Sequence, residues 1–107
     1  TMIVLTHDTS IQSTHSNLIF TDKTPEDIVS ILEERGHKET VIIGGTLTAS
    51  VFLKAGLVDE LRLVIEPVLF SMGLPLLTNV DEDYKLTLSD VRKLNENTLE
   101  VQYRLKK

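Results

Sequence analysis

The fold is decided by the stretch Val41-Ile42-Ile43-Gly44-Gly45-Thr46-Leu47, in which a short apolar run passes into two glycines. The apolar run predicts a buried strand. The residues after the glycines predict a helix over 46–55, with Leu47 and Val51 on one face, which Gly56 ends. A strand that turns through glycine into a helix directs the first free helix N–H groups at one point. Because glycine lets an anion approach the backbone, the stretch predicts a phosphate-binding turn, to which the Thr46 hydroxyl can contribute.

A glycine pair alone is a weak fingerprint for phosphate binding. The same dipeptide also makes a tight strand-to-helix turn that binds no ligand, and the two interpretations are about equally favoured by the dipeptide itself. The pair also differs from the G-x-G-x-x-G pattern of a dinucleotide-binding Rossmann unit. The choice between a structural turn and a phosphate site therefore depends on the surrounding sequence.

The residues before this stretch predict two strands and a helix. Short apolar runs at residues 2–5 and 18–20 predict the strands, and the polar residues between them predict a loop. Thr24-Pro25-Glu26-Asp27 predicts a helix start, because threonine is a good N-cap, proline is tolerated at the first helical position and acids favour the positive helix end. Gly36 predicts the end of this helix.

The residues after the stretch predict three more strands. Apolar and polar residues alternate over 59–66, from Tyr84 onward and over 98–105, and the last two runs flank the turn Asn95-Glu96-Asn97 as an antiparallel hairpin. The β–α–β order of the first half implies parallel pairing with right-handed crossovers. We therefore predict one α/β domain over residues 1–107, in three layers, with a mixed, mostly parallel sheet and a C-terminal antiparallel hairpin.

Composition excludes several classes of function. The net charge is −5, and no block of Lys or Arg occurs before Lys106-Lys107, so a nucleic-acid-binding face is not expected. The absence of cysteine excludes disulfides, thiol nucleophiles and cysteine metal sites. Because no apolar run is long enough for a membrane span and no signal peptide is recognisable, we predict a cytoplasmic protein without a membrane partner.

The side chains suggest no catalytic cluster. His7, Asp8 and His15 have no spacing typical of metal ligands, so no metal site is predicted. Asp59 and Glu60 are adjacent carboxylates at a strand entry, where such groups are usually solvated and not poised for acid–base work. The catalytic residues therefore stay unassigned.

Four separated motifs, taken together, resemble a known family. They are Gly44-Gly45-Thr46, the run from Phe52 to Leu61 that contains Gly-Leu-Val-Asp-Glu-Leu, Pro67-Val68-Leu69, and Gly73-Leu74-Pro75-Leu76. Together they resemble the C-terminal reductase domain of bifunctional riboflavin-biosynthesis deaminase-reductases, which is similar in fold to dihydrofolate reductase. The resemblance extends over nearly the whole chain and implies that residues 1–107 are the C-terminal part of a single dihydrofolate-reductase-like reductase domain.

The resemblance implies an NADPH-dependent reductase that reduces the ribosylamino group of a small pyrimidine intermediate. In the family, the glycine pair and the helix start hold the NADPH phosphates, which implies this role for Gly44, Gly45, Thr46 and Leu47. The end of the first strand lies near the adenosine end of the cofactor. That position corresponds to Thr6 and His7.

Two departures from the family pattern leave alternatives open. Riboflavin-pathway reductases usually carry Glu before the glycine pair, where it helps to bind the pyrimidine, whereas this chain has Ile43. An apolar residue there favours a dihydrofolate-reductase-like oxidoreductase with another substrate. The family domain also normally begins with a strand and a helix upstream of Ile3, which are missing from these 107 residues.

The missing upstream elements suggest how the chain is completed. Either the chain is part of a longer protein, or another chain or copy supplies the rest, or it is a non-catalytic fragment that folds and self-associates. Because unpaired sheet edges favour association, we predict a homodimer.

Overall fold

The computed structural model describes residues 1–8 and 10–106. Within them the chain forms five strands and two helices. In order these are β1 (Met2–Leu5), β2 (Leu18–Thr21), α1 (Pro25–Glu34), α2 (Thr46–Lys54), β3 (Glu60–Ile65), β4 (Leu86–Lys93) and β5 (Leu99–Leu105). The predicted mixed α/β class is confirmed. The predicted single, mostly parallel sheet is not what the strands form.

The strands form two separate sheets. Strands β1 and β2 pair in parallel, with Met2 opposite Leu18 and Leu5 opposite Thr21. The other sheet has the order β3-β5-β4 and is antiparallel throughout. The predicted C-terminal hairpin is therefore confirmed. Parallel pairing is confined to β1 and β2, as expected for two strands joined by a crossover and not by a tight turn.

The strand predicted at residues 41–43 is not formed among the described residues. No described strand pairs with this segment, so no ladder of hydrogen bonds defines it and it does not join the two sheets. Its side chains still alternate, because Ile42 packs against the core while Val41 and Ile43 face solvent. An apolar run predicts the local geometry of a strand, but only a neighbouring strand completes it.

Helix α1 begins where the sequence predicts. The Thr24 hydroxyl oxygen accepts a hydrogen bond from the Asp27 N–H at 3.2 Å, with proline in the first turn. This contact satisfies one of the N–H groups that a helix start leaves without an intrahelical partner.

Both helices end in the same way. Gly36 and Gly56 adopt positive φ, and each donates to the carbonyl three residues earlier, while the next residue donates five residues back. This is the Schellman arrangement, which favours glycine because its conformation is left-handed. Helix α2 ends one residue before the predicted Ala55, which is its C-cap.

The core lies between the helices and the small parallel sheet. Its buried apolar residues are Ile28 and Leu32 of α1 and Phe52 of α2. Partly buried side chains around them are Ile3, Leu5, Val29, Ile42, Val51, Leu57 and Val58. The predicted apolar face of α2 is thus only partly right: Val51 packs on the core, whereas Leu47 is mostly exposed.

The three-stranded sheet has one apolar face and one charged face. Leu61, Tyr103 and Leu88 occupy one register row on the apolar side. On the charged side, Arg92 pairs with Glu100 at 3.0 Å. The Gln102 side chain, which donates to Glu100, lowers the pKa of that carboxyl, and Arg92 acts in the same direction. These contacts follow the alternation of the strands.

Ser50 connects α2 to the segment that follows the strand β3 in sequence. Its side chain is 1% exposed, and its hydroxyl donates to the Thr46 carbonyl at 2.7 Å. The same oxygen accepts a hydrogen bond from the Thr78 N–H at 2.9 Å. A single buried hydroxyl therefore holds residue 78 against the first turn of α2.

We expect Ser50→Ala to lower the free energy of unfolding by about 1–3 kcal/mol, because it leaves the Thr78 N–H without its partner in a partly buried site. Urea unfolding followed by circular dichroism measures the change. Ser30→Ala is the matched control, since Ser30 makes the same bond four residues back, to Glu26, on an exposed helix face. Equal losses in the two variants would show that the Thr78 contact contributes nothing.

Among residues 1–8 and 10–106, the structure contains no helix with the length and apolar character needed to cross a membrane.

Candidate functional site

The glycine turn at residues 44–45 leads directly into α2. Gly44 has φ +146°, a conformation that residues with a side chain rarely adopt, and the Gly44–Gly45 peptide bond is cis. Gly45 is the N-cap of α2, with an extended backbone and φ −75°. Its carbonyl accepts the first helical hydrogen bond, from the Ala49 N–H at 3.0 Å. Glycine at position 44 is therefore required by the backbone.

The start of α2 presents its free N–H groups without a side-chain cap. Gly45 has no side chain to accept from them, and the first turn contains no acidic residue. A Cβ atom built on Gly44 or Gly45 would meet no other atom within 4 Å, so the space in front of the turn is open. The helix dipole makes this end positive. These features together suit an anion.

The Thr46 hydroxyl has a different partner from the one expected. It donates to the Pro75 carbonyl oxygen at 2.7 Å, so its only proton is already used within the protein. The contribution that Thr46 can offer an anion is therefore its backbone N–H. The bond also fixes Pro75, and with it the Gly73-Leu74-Pro75-Leu76 motif, beside the helix start.

Apolar side chains flank the turn on both sides. Ile43, directly before the glycines, is 91% exposed, and Leu47, in the first turn of α2, is 57% exposed. Leu74 and Leu76, on either side of the anchored Pro75, are also exposed. The surroundings of the turn are thus apolar, while the turn itself is polar through its backbone.

Thr6 and His7 lie at the end of β1. The Thr6 N–H donates to the Thr21 carbonyl at 2.9 Å, which extends the β1–β2 pairing by one residue. The Thr6 hydroxyl accepts from the Asp8 N–H, and His7 is exposed. Within residues 1–8 and 10–106, no hydrogen bond joins Thr6 or His7 to the glycine turn. Their placement at the cofactor stays a prediction.

The loop after His7 is held by Asp8. The Ser10 hydroxyl and the Ser10 N–H both donate to its carboxylate. These two bonds, the hydroxyl first, lower the pKa of Asp8. Asp8 is therefore ionised at neutral pH, directly after His7 in the chain. No group of three or more potential metal ligands occurs in the described part of the chain.

A second concave region lies at the far end of α2. It has a volume of about 510 Å³, and its lining includes Leu53, Tyr84 and Lys106. The Tyr84 hydroxyl oxygen is buried and makes no hydrogen bond of regular geometry. Burial raises the pKa of Tyr84, and the neighbouring Glu82 carboxylate adds to this effect. The hydroxyl therefore stays protonated at neutral pH.

The Thr46–Pro75 and Ser50–Thr78 contacts were not predicted from the sequence. Each joins residues that lie 28 or 29 positions apart. The Gly73-Leu74-Pro75 motif indicates an ordered segment, but no local sequence pattern predicts that this segment contacts the start of α2.

The fold and the turn together define an α/β domain whose glycine-rich helix start is suited to hold an anionic group. Comparison with known proteins makes this class specific. The family model of the RibD C-terminal domain matches residues 1–99, so the chain belongs to that family. This is the reductase-like domain of the riboflavin-biosynthesis type, and the family resemblance predicted from the sequence motifs is confirmed.

Individual proteins are similar to this chain in sequence or in fold. The uncharacterised protein YyaP of Bacillus subtilis (strain 168) is 29% identical over 85 residues, which are 79% of this chain and 45% of YyaP. A putative riboflavin biosynthesis protein from Shewanella sp. PV-4 superposes with a TM-score of 0.81 at 21% identity, covering 98% of this chain and 60% of that one.

Two more distant structures share the fold. A pyrimidine reductase-like protein from Corynebacterium diphtheriae gives a TM-score of 0.70 at 23% identity, covering 84% of this chain and 38% of that one. RibD of Acinetobacter baumannii gives a TM-score of 0.68 at 19% identity, covering 84% of this chain and 27% of that one. The chain thus spans 60% or less of each of these relatives, which are longer.

We expect Gly44→Ala to destabilise the protein by about 1–3 kcal/mol, because φ +146° is strained for any residue with a Cβ atom. Gly45→Ala is the matched control, since its φ of −75° suits alanine and the added Cβ meets open space. Thermal and urea unfolding of both variants measures the difference. A loss at position 45 as large as that at position 44 would contradict the assignment of strain to Gly44.

Proposed function

We propose that the chain is the cofactor-binding part of an NADPH-dependent reductase of the riboflavin-biosynthesis type, which reduces the ribosylamino group of a pyrimidine intermediate. The observation that carries the proposal is the open glycine turn at the start of α2, in a chain of the RibD C-terminal domain family. We extend this proposal to the activity of the whole protein, because the chain spans only 45% to 60% of the length of YyaP and the Shewanella protein.

The turn fits the phosphates of a dinucleotide. Gly44 and Gly45 leave open space where any side chain would project, and the N–H groups of the first turn of α2 have no side-chain cap. Thr46 and Leu47 would then offer backbone N–H groups to phosphate oxygens. The absence of an acidic residue from this turn removes a competing negative charge.

The residues of this chain have a limited task in the reaction. NADPH, when bound, supplies the hydride. The glycine turn would orient the cofactor through its phosphates, and the apolar side chains of Ile43 and Leu47 beside it would exclude water. No nucleophile is needed for this chemistry, which is consistent with the lack of a nucleophile arrangement in the sequence.

We infer the preference for NADPH over NADH from the family resemblance alone. A 2′-phosphate usually pairs with Arg or Lys. The residue after Thr6 is His7, and the neighbouring Asp8 is negative. Titrations with both cofactors are therefore part of the test.

We predict that the complete domain binds NADPH, measured by calorimetric titration up to millimolar concentration, and that Gly45→Ala weakens binding at least tenfold, about 1.4 kcal/mol. The reason is that a Cβ at position 45 occupies the space that the phosphate needs. Gly73→Ala is the control, because Gly73 lies outside the turn and an added Cβ there also meets nothing within 4 Å. Equal affinities of the two variants, or no binding by the complete domain, would reject the proposal.

Ile43 favours a second candidate function. In the riboflavin-pathway reductases that this chain resembles, Glu occupies this position and helps to bind the pyrimidine. Here an apolar side chain, almost fully exposed, stands at the entrance of the turn. An isoleucine cannot accept hydrogen bonds from a polar ring, which favours a dihydrofolate-reductase-like oxidoreductase with another substrate.

The two candidate functions differ in the substrate that NADPH reduces. We expect the complete protein to oxidise NADPH with the pyrimidine intermediate, with dihydrofolate as the parallel assay. If Ile43 sets the substrate, Ile43→Glu raises kcat/KM for the pyrimidine at least tenfold while the affinity for NADPH stays unchanged. Turnover of dihydrofolate alone would select the second candidate, and cofactor binding without turnover of either would indicate a non-catalytic chain.

A further inference from the structure

The segment of residues 73–78 belongs to no helix or strand, and two hydroxyl groups hold it at the start of α2. The Thr46 hydroxyl donates to the Pro75 carbonyl oxygen at 2.7 Å, and the Ser50 hydroxyl accepts from the Thr78 N–H at 2.9 Å. Within the described parts of the chain, residues 69–80 make no other hydrogen bond. The position of the segment therefore depends on two side chains that lie about one turn apart on α2.

The Thr46 hydroxyl is committed to this segment and not to an anion at the glycine turn. A hydroxyl has one proton, and here the Pro75 carbonyl accepts it. The lone pairs that remain on the hydroxyl oxygen do not bind an ionised phosphate oxygen, because both are acceptors. An anion at the turn is then left to the backbone N–H groups of the helix start, which the side chain of Thr46 does not supply.

Two leucines of the same segment are left in water beside the turn. Leu74 is 92% exposed and Leu76 is 57% exposed, on either side of the anchored Pro75. Covering such side chains is favourable because it removes apolar surface from water. A ring joined to phosphates at the turn would lie next to this segment, and aromatic rings have broad apolar faces that pack well against aliphatic side chains.

We propose that Thr46 and Ser50 are positioning residues, whose hydroxyls hold residues 74–76 beside the glycine turn so that Leu74 contacts a ring of the bound dinucleotide. The inference rests on the proposed function and adds residues to its site. Backbone N–H groups bind the phosphates, Leu74 binds the ring, and the two hydroxyls fix the distance between these contacts. Loss of a hydroxyl should therefore weaken the whole cofactor and spare its phosphates.

Titrations of the complete domain with two ligands test this difference. NADPH is measured by calorimetry, and inorganic pyrophosphate by the shift of the Gly45 amide signal in nuclear magnetic resonance. Thr46→Val keeps the branched shape and removes the hydroxyl, so we expect it to weaken NADPH about fivefold or more and to change the pyrophosphate affinity by less than about twofold. Equal losses for both ligands would place the hydroxyl on the phosphates and overturn the proposal.

Ser50→Ala separates an effect through the segment from a contact with the ligand. Ser50 is 1% exposed and cannot touch a bound cofactor, yet we expect the same selective loss of NADPH affinity. Because this variant is also less stable, its titration is done where circular dichroism shows it folded. An unchanged affinity for NADPH in this variant contradicts the proposal.

Two further variants exclude a general effect of substitution in α2. Thr46→Ser keeps a hydroxyl that can reach Pro75, so we expect an affinity for NADPH within about twofold of the original. Thr48→Val is the matched control, because the Thr48 hydroxyl makes no hydrogen bond among the described residues. A loss in either of them as large as that in Thr46→Val overturns the proposal.

Amide hydrogen exchange tests the anchoring without any ligand. Ser50→Ala removes the acceptor of the Thr78 N–H and should speed its exchange about tenfold or more. Thr46→Val leaves the segment with one anchor and should speed exchange at Thr78 about threefold or more. Unchanged exchange at Thr78 in Thr46→Val would show that the Thr46 hydroxyl does not position the segment.

Leu74→Ala tests the ring contact itself. We expect it to weaken NADPH about fivefold or more and to leave exchange at Thr78 unchanged, because both anchors remain. Leu69→Ala is the control, since Leu69 is fully exposed outside the anchored segment. Equal affinities of the two variants would assign the surface of Leu74 to another partner, such as a second copy, and overturn the proposal.

Failure of this inference differs from failure of the proposed function. If the complete domain binds NADPH and none of these variants changes its affinity, the positioning role is wrong and the proposed function stands. If the unsubstituted complete domain binds no NADPH, the proposed function is rejected, and the ring contact is rejected with it.

Discussion

The hydroxyl of Ser50 holds together the parts of the molecule on which the site depends. It donates to the Thr46 carbonyl in the first turn of α2 and accepts from the Thr78 N–H. Next to it, the Thr46 hydroxyl donates to the Pro75 carbonyl. Phe52, on the same helix, packs into the core with α1. The helix start is therefore fixed on one side by hydrogen bonds and on the other by apolar packing. An anion site made of backbone N–H groups needs this rigidity, because its donors have no side-chain freedom to adjust.

The local structure could be predicted from the sequence because its causes are local. Thr24 caps α1 by a hydrogen bond from a residue three positions later. At Gly36 and Gly56 the helices end in backbone hydrogen bonds between residues three and five positions apart. The terminal hairpin follows from alternation around a short turn. The sheet arrangement could not be predicted in the same way. Residues 41–43 have the apolar pattern of a strand, but whether a strand forms depends on a neighbour, and the pattern of one segment carries no information about its neighbour.

The same division holds for the candidate site. The glycines predicted the turn because position 44 needs a φ that only glycine adopts readily. The role of the Thr46 hydroxyl could not be foreseen, because its partner Pro75 is 29 residues away. Leu47 was expected on the apolar face of α2 and is instead exposed beside the turn, since the buried positions are Ser50 and Phe52. The buried Ser50 hydroxyl accepts a hydrogen bond from the Thr78 N–H, which a leucine side chain could not do.

In the proposed function, cofactor and substrate would be specified by adjacent residues but by different physical means. Gly44 would act through its backbone: its conformation and its lack of a Cβ atom let an anion approach, and neither depends on the side chain before it. Position 43 would act through its side chain alone, which is exposed directly before the turn. Replacing a carboxylate by isoleucine there changes the hydrogen-bonding capacity offered to a substrate and leaves the turn intact. On this proposal, members of one family would keep a common cofactor site and differ in substrate through one residue, because a shared fold does not by itself determine which molecule is reduced.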